Sequence, residues 1–437
     1  MPGRVPYSAE ATTGRIGGPA PVTKTCGRDL LSEAGLPMRQ ILTLVTYGLF
    51  SQLCSFASHM FIADGLGPGR YGMFMFGLSL QYWLALVGSL GARAVLIREA
   101  GPGPDRWSRV FPAHLVLNGG PALVFAIVGW GIIWVAPIGP DERKLLGCIL
   151  LANVAGCLIP LALFDAQGLQ TASMRVIASV ELGSLAVVAW LRITDQLTVA
   201  LAGTVWLAKT WCSLVAHGAI GWHRAAVGRM SFCRQTMIRI VRSSLPLLLA
   251  SVVSGLPLTS GPLLLRWSGD AVGVAFLGIA TQAANAFQLF ASYPLRTIHP
   301  TVLAPVADRP TAAAQLSRAY LFYLGVVWLG GSSVGGLLTH RILQSNYRPA
   351  LGPVILLLTA ALFQAVGNLA TVHLVARRRE VRVLSCQAGA ALLYVIGTLG
   401  LTPYIAYHGA AWTAVGSCLL SSGLMTLQIA RSAKDPS

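Results

Sequence analysis

Acidic side chains are scarce in this chain. Fifteen Asp and Glu stand among 437 residues, and all charged residues together make up 11%, less than half of what a water-soluble domain carries, ~25%. That deficit excludes a surface built for water. The eight cysteines form no C-x-x-C pair, and Cys54, Cys148, Cys157, Cys212, Cys386 and Cys418 fall inside apolar stretches, where a thiol is a small packing group; neither a metal site nor a disulfide framework has support. No nucleophile and base are paired in a motif, and no glycine loop is placed to cradle a phosphate, so an enzyme is not expected. Alternating segments of about ten residues, the mark of membrane β-barrels, are absent as well.

What is present is apolar: 54% of the residues, with a mean hydropathy of +0.65. The formal charge of +17 would elsewhere indicate nucleic acid, but that requires a basic face on a soluble domain with base-reading side chains. Here the positive charge lies in short connectors, so nucleic acid is not an expected partner. An apolar stretch of about 20 residues crosses roughly 30 Å of hydrocarbon as a helix. Twelve such runs are readable, at 40–62, 73–96, 110–136, 145–167, 174–191, 197–219, 244–265, 272–295, 319–339, 351–375, 383–402 and 408–430. The fold class is therefore an all-α integral membrane protein.

Of the 32 Lys and Arg, 24 fall in every second gap between these runs. The other gaps hold seven (Arg70, Arg143, Lys144, Arg192, Arg266, Arg341, Arg348), and Lys209 lies within a run. Because Lys and Arg are retained on the cytoplasmic side, this sorting places both termini in the cytoplasm. Residues 1–37, rich in Gly, Pro and Thr and without a secretory apolar core, read as a disordered cytoplasmic leader. The tail, 431–437, is expected on the same side.

Displacing the chain by 201 residues lays Gly72 on Gly273, Gln81 on Gln282 and the 66–72 turn on 267–273. This implies a duplication: a six-helix lobe at 38–221, a basic cytoplasmic connector at 222–243 and a second lobe at 244–430, parallel because six crossings return the chain to one side.

The segment 61–100, FIADGLGPGRYGMFMFGLSLQYWLALVGSLGARAVLIREA, resembles the signature of the polysaccharide transporter family, the Wzx-type oligosaccharide flippases of the multidrug/oligosaccharidyl-lipid/polysaccharide (MOP) exporter superfamily. Leu66, Gly67, Pro68, Tyr71, Gly72, Leu90, Gly91 and Arg98 carry the likeness, and RSSLPLLLA at 242–250 and AVGVAFLGIA at 271–280 repeat the habit. The resemblance implies a MATE-like V-shaped bundle of two lobes. It also implies movement of an undecaprenyl-diphosphate-linked sugar repeat unit from the cytoplasmic to the periplasmic leaflet of the cell inner membrane. The product would be O-antigen, capsule or exopolysaccharide. Expected partners are that lipid-linked oligosaccharide, membrane lipids and the polysaccharide polymerase and export machinery; no cofactor is expected, the drive being a proton or sodium gradient or the membrane potential.

Such a substrate needs a wet, partly cationic cavity. Ser51, Gln52, Ser55, Ser58 and His59 share one face of run 1, with Gln81 on run 2; Thr281, Gln282, Asn285 and Gln288 form a similar stripe on run 8, and Gln364 and Asn368 lie on run 10. These are candidate linings for sugar hydroxyls, set against the alternative that they bond helix to helix. His59 is placed near the outer end of run 1. Glu181 and Lys209 are candidates for an intramembrane pair, structural or coupling a proton, since a lone charge there is expensive. Arg93 and Arg296 end runs 2 and 8 and are candidates to hold the diphosphate at the cytoplasmic mouth through bidentate guanidinium bonds; Asp165 could neutralise Arg93 or Arg175. The nearest alternative function is a MATE-like cation-coupled multidrug exporter, disfavoured because run 1 has no acid before Asp64 at its end. A membrane polysaccharide polymerase or ligase is less favoured, because the external gaps are about ten residues or fewer, too short for a folded catalytic loop.

Overall fold

The computed structural model describes residues 38–89, 92–100, 110–224, 234–267, 269–303, 310–341, 345–376 and 379–434. The leader and residues 435–437 of the tail lie outside these residues. The chain divides into two units, Met1–Leu42 and Thr43–Ser437, and the architecture below is that of the second.

Every regular element among the described residues is helical. In chain order they are α1 Met38–Gly88, α2 Arg93–Ala100, α3 at 110–135, α4 Pro140–Leu158, α5 Leu161–Ala166, α6 Gln170–Ile193 and α7 Val199–Arg224. There follow α8 Arg234–Thr259, α9 Gly261–Trp267, α10 Ala271–Leu303, α11 Pro310–Arg341, a 3₁₀ turn Ser345–Ala350, α12 Leu351–Ala376 and α13 Glu380–Lys434. Among the described residues eight helices are long and apolar enough to cross a membrane, or nine if the bent α8 is one span. The protein is a multi-pass membrane protein.

Two of the eight are helical hairpins. In α1, Gly67 has φ 71 and ψ 168, a backbone region that side chains with a Cβ avoid, and Pro68 then starts the second arm without needing an N–H partner. The arms fold back: the rings of His59 and Phe74 lie 5.9 Å apart, whereas fifteen residues of straight helix span about 22 Å. α13 turns at Ile405 and Ala406, the latter at φ 48, and brings the hydroxyls of Thr398 and Thr413 within 2.7 Å.

Several boundaries differ from the sequence expectation. Run 2 ends at Gly88, and Arg93 and Arg98 belong to the separate helix α2. Run 8 continues to Leu303, so Arg296 lies within α10 and not at its end. Run 4 breaks at Pro160, which lacks an N–H and cannot extend the ladder, giving α4 and α5. The expected basic connector is partly helical, since α7 reaches Arg224 and α8 begins at Arg234; 225–233 lie outside the described residues. Helix α3 carries a π-helical stretch, Leu115–Gly119, that no composition signal announced.

The largest apolar core joins both halves of the chain, with Tyr71, Phe74 and Met75 of α1 beside Val274, Phe276 and Leu277 of α10 and Tyr347 before α12. A second cluster gathers α2, α3 and α5 around Ile240 of α8.

Candidate functional site

A polar chain runs through the interior of the first half. Lys209 Nζ on α7 donates to Glu181 Oε1 on α6 at 2.9 Å, the two side chains being 11% and 15% exposed. The ammonium also lies 3.6 Å above the Trp206 ring one turn away, an arrangement that attracts a desolvated cation. Trp206 in turn donates its indole N–H to Gln81 Oε1 at 2.7 Å. The pair anticipated from sequence is thus formed between α6 and α7, and Trp206 links it to Gln81 on α1. One atom stays unused: Glu181 Oε2 is buried without a hydrogen-bond partner. Glu181 lies about 17 Å from the start of α6 at Gln170, and Lys209 about 23 Å from the end of α7 at Arg224, at the helical rise.

His59 corrects an expectation. It is 1% exposed, enclosed by the rings of Tyr71, Phe74 and Trp206, so it lines no open surface in this conformation. The fold-back at Gly67 buries what sequence position alone put near an interface. Ser51 and Ser58 are also buried, and each hydroxyl donates to a carbonyl of its own helix, Gly48 and Cys54. Gln52 and Ser55 are half-buried on the same helix.

Among the arginines, Arg93 donates to Asp165 Oδ2 at 2.7 Å while its own side chain is 54% exposed. This settles which cation Asp165 meets; Arg175 lies over the Tyr47 ring instead, at 5.7 Å. Arg93 therefore meets one carboxylate with about half of its side chain still exposed, and a guanidinium can bind more than one anion. The side chains of Arg98 and Arg296 lie outside the described residues.

In the second half, Gln288 donates to the Ala361 carbonyl at 2.7 Å and to Gln364 Oε1 at 3.3 Å, and Gln364 donates to the Ser254 carbonyl at 3.0 Å. These bonds tie α10, α12 and α8 together. Gln364 and Asn368 also border a cavity of about 30 Å³ with Ser254, Gln387, Ser417 and Ser421, room for a water or two and not for a sugar ring. Thr281 is buried and donates toward the Leu258 carbonyl at 3.4 Å, while Gln282 and Asn285 are half-buried. Helix-to-helix bonding, the alternative weighed for these stripes, thus accounts for Gln81, Thr281, Gln288 and Gln364.

Sequence reasoning missed a seal between the two halves. A methyl built on Gly72 would overlap the Ala271 carbonyl oxygen, so the start of the second arm of α1 presses on the start of α10. These belong to the two turns that the 201-residue displacement superposes. Beside them Tyr347 donates its hydroxyl to the Ala63 carbonyl at 2.8 Å, and its ring meets Tyr71 and Phe276 edge-on. Arg266 on α9 donates to Glu142 Oε1 on α4 at 2.9 Å. All these residues sit at the end of the molecule that the charge sorting leaves poor in arginine. The one signal in the sequence was that displacement, which pairs these two turns. At the other end the halves touch through α8, where Ile240 and Met237 pack on α2, α3 and α5.

Among the described residues no group of three or more His, Cys, Asp and Glu could hold a metal ion. Cys54, Cys157, Cys386 and Cys418 are free and buried, as packing groups would be.

No protein-family model and no curated protein matches the chain. Solved structures do match in fold. An inward-facing multidrug resistance MATE family transporter of the MOP superfamily is 12% identical, with 91% of this chain and 100% of that one covered and a TM-score of 0.66. Lipid II flippase MurJ in an inward closed conformation gives 10%, 89%, 87% and 0.66, and the eukaryotic MATE transporter AtDTX14 gives 13%, 90%, 96% and 0.63. The chain has the fold these transporters share.

Proposed function

We propose that this chain is a lipid-linked oligosaccharide flippase of the cell inner membrane. It carries undecaprenyl-diphosphate-linked sugar repeat units from the cytoplasmic to the periplasmic leaflet by alternating access. The observation that carries the transport reading is the seal: at one end the two halves meet through a glycine-to-carbonyl contact, one hydroxyl bond and one ion pair set around the apolar cluster of Tyr71, Phe276 and Tyr347. Among the described residues no covalent link or continuous helix crosses that junction, so the halves can part there, as a gate requires.

The fold likeness applies equally to drug exporters and to a lipid flippase, so the choice of substrate rests on this chain's residues. The 61–100 segment resembles the Wzx-type signature. Against the exporter alternative, the one acid on α1 within the described residues is Asp64, and Arg192 donates to it at 2.8 Å, which occupies the group an exporter would use for cation coupling. Arg93, half exposed beside Asp165, is the candidate for the diphosphate, and half-buried Gln52, Ser55, Gln282 and Asn285 are candidates for sugar hydroxyls. Glu181, with one oxygen on Lys209 and the other unpartnered, is the candidate proton carrier. The two six-helix lobes, the cytoplasmic termini, and association with a polymerase and export machinery belong to the same proposal.

The test is movement of a defined lipid-linked oligosaccharide by the purified protein in liposomes, set beside rescue of a flippase-deficient strain and drug efflux in a sensitised one. Flipping and rescue without efflux support the proposal; efflux without flipping overturns it.

A further inference from the structure

Each Lys or Arg in a translocated connector opposes the orientation that the rest of the chain favours. Among the described residues, two of these cations are met by a carboxylate of another helix. Arg192 is held by Asp64 inside the first half. Arg266 is held by Glu142 across the halves, and its guanidinium also lies 6.0 Å over the ring of Phe76 on α1. The first pair can persist however the halves move. The second cannot, because α4 and α9 must part if this end opens.

Each partner also has somewhere to rest when they separate. Glu142 stands in the first turn of α4, behind Pro140 at its start, where the helix dipole favours an anion; Arg266 stands in the last turn of α9, where it favours a cation. A carboxylate 12% exposed facing a guanidinium 32% exposed is dry enough to hold and wet enough to release. A deeply buried pair would leave two uncompensated charges on opening, and a fully solvated one would hold nothing.

We propose that Glu142 and Arg266 form a state-specific clasp that keeps the arginine-poor end shut, and that its breakage is a step of the transport cycle. This rests on the alternating-access reading above. The clasp acts beside the Gly72–Ala271 contact: the glycine lets the backbones approach, and the ion pair supplies a directional bond that is lost in one step.

The experiment is hydrogen–deuterium exchange of the full-length protein in nanodiscs, followed in peptides spanning 64–78 and 265–279. Glu142→Gln and Arg266→Gln should each raise the opened fraction about tenfold, the size expected for a half-dry pair between the exposed and buried limits. The doubly reversed Glu142→Arg, Arg266→Glu protein should return exchange to the native level. Arg143→Gln serves as control, since Arg143 neighbours the clasp but lies over Trp134 of its own half, 5.8 Å away; its exchange at the seal should stay native. Melting temperatures establish that each variant is folded, and should both reversed residues prevent folding, coupling between the single neutral variants and their double is read instead. Unchanged exchange in the single variants, or additive effects with no rescue, overturns the clasp. Absence of lipid-linked sugar flipping by the native protein would refute the substrate and leave the exchange result standing, so the two failures are distinguishable.

Discussion

Replacing Gly72 by alanine should tip the protein toward the state in which the arginine-poor end is open. The added methyl overlaps the Ala271 carbonyl oxygen, with the Ala271 carbonyl carbon and the Ala275 amide nitrogen immediately behind. These are backbone atoms of α10 and cannot rotate aside as a side chain would. Relief requires the two backbones to separate by on the order of an ångström, and overpacking of this kind costs ~1–3 kcal/mol. The cost falls only on the closed state, so the open-to-closed ratio should rise by roughly 5-fold to 150-fold, a factor of ten for about 1.4 kcal/mol. Distances between spin labels carried by non-native amino acids at Asp195 and Trp267, both highly exposed near this end, would report the shift as a longer component. Gly69→Ala is the matched control, because a methyl there meets nothing within 4 Å. If Gly72→Ala leaves the distances unchanged while the protein stays folded, or if Gly69→Ala moves them equally, the reasoning fails.

Other substitutions probe separate parts of the structure. Gly67→Ala forces a Cβ into φ 71 and should cost ~1–3 kcal/mol, read as a lowered melting temperature; an unaltered melt would contradict the hairpin. Lys209→Met or Glu181→Gln alone should destabilise by ~3–5 kcal/mol, since each leaves a buried charge or dipole unmatched, whereas the double variant should recover much of the loss; equal losses in all three would deny the coupling. Transport whose pH dependence is the same in Glu181→Gln as in the native protein would sink the proton role. Arg93→Ala should weaken binding of lipid-linked diphosphate about tenfold, as expected for charged hydrogen bonds, while Asp165→Asn, by freeing the guanidinium, should tighten it. Binding measured in nanodiscs at low salt would show either sign.

How far these features were legible follows from what each depends on. Glu181 and Lys209 were readable as partners because they are lone opposite charges in adjacent spans, and hydrocarbon leaves such groups few alternatives. Asp165 had two candidate cations on neighbouring segments, and spacing carried no preference; the packing of α5 against α2 chose Arg93. The serines of run 1 formed a continuous stripe, yet Ser51 and Ser58 bond carbonyls of their own helix, a choice between equally near acceptors that periodicity does not contain. Arg296 was placed at a helix end because apolarity fades there, but α10 continues through Pro294 and Pro300 to Leu303.

By itself, then, the sequence determined that the chain crosses a membrane many times as helix, and the turn after Leu66. These follow from local quantities: transfer of apolar side chains from water, and the conformations open to glycine and proline. Only the tertiary structure decided that His59 is sealed among aromatic rings, that Arg266 reaches across to Glu142 and that Gly72 rests against Ala271. Each of those brings together atoms far apart in the chain, and their meeting is set by how helices pack, which depends on all the side chains of both faces at once.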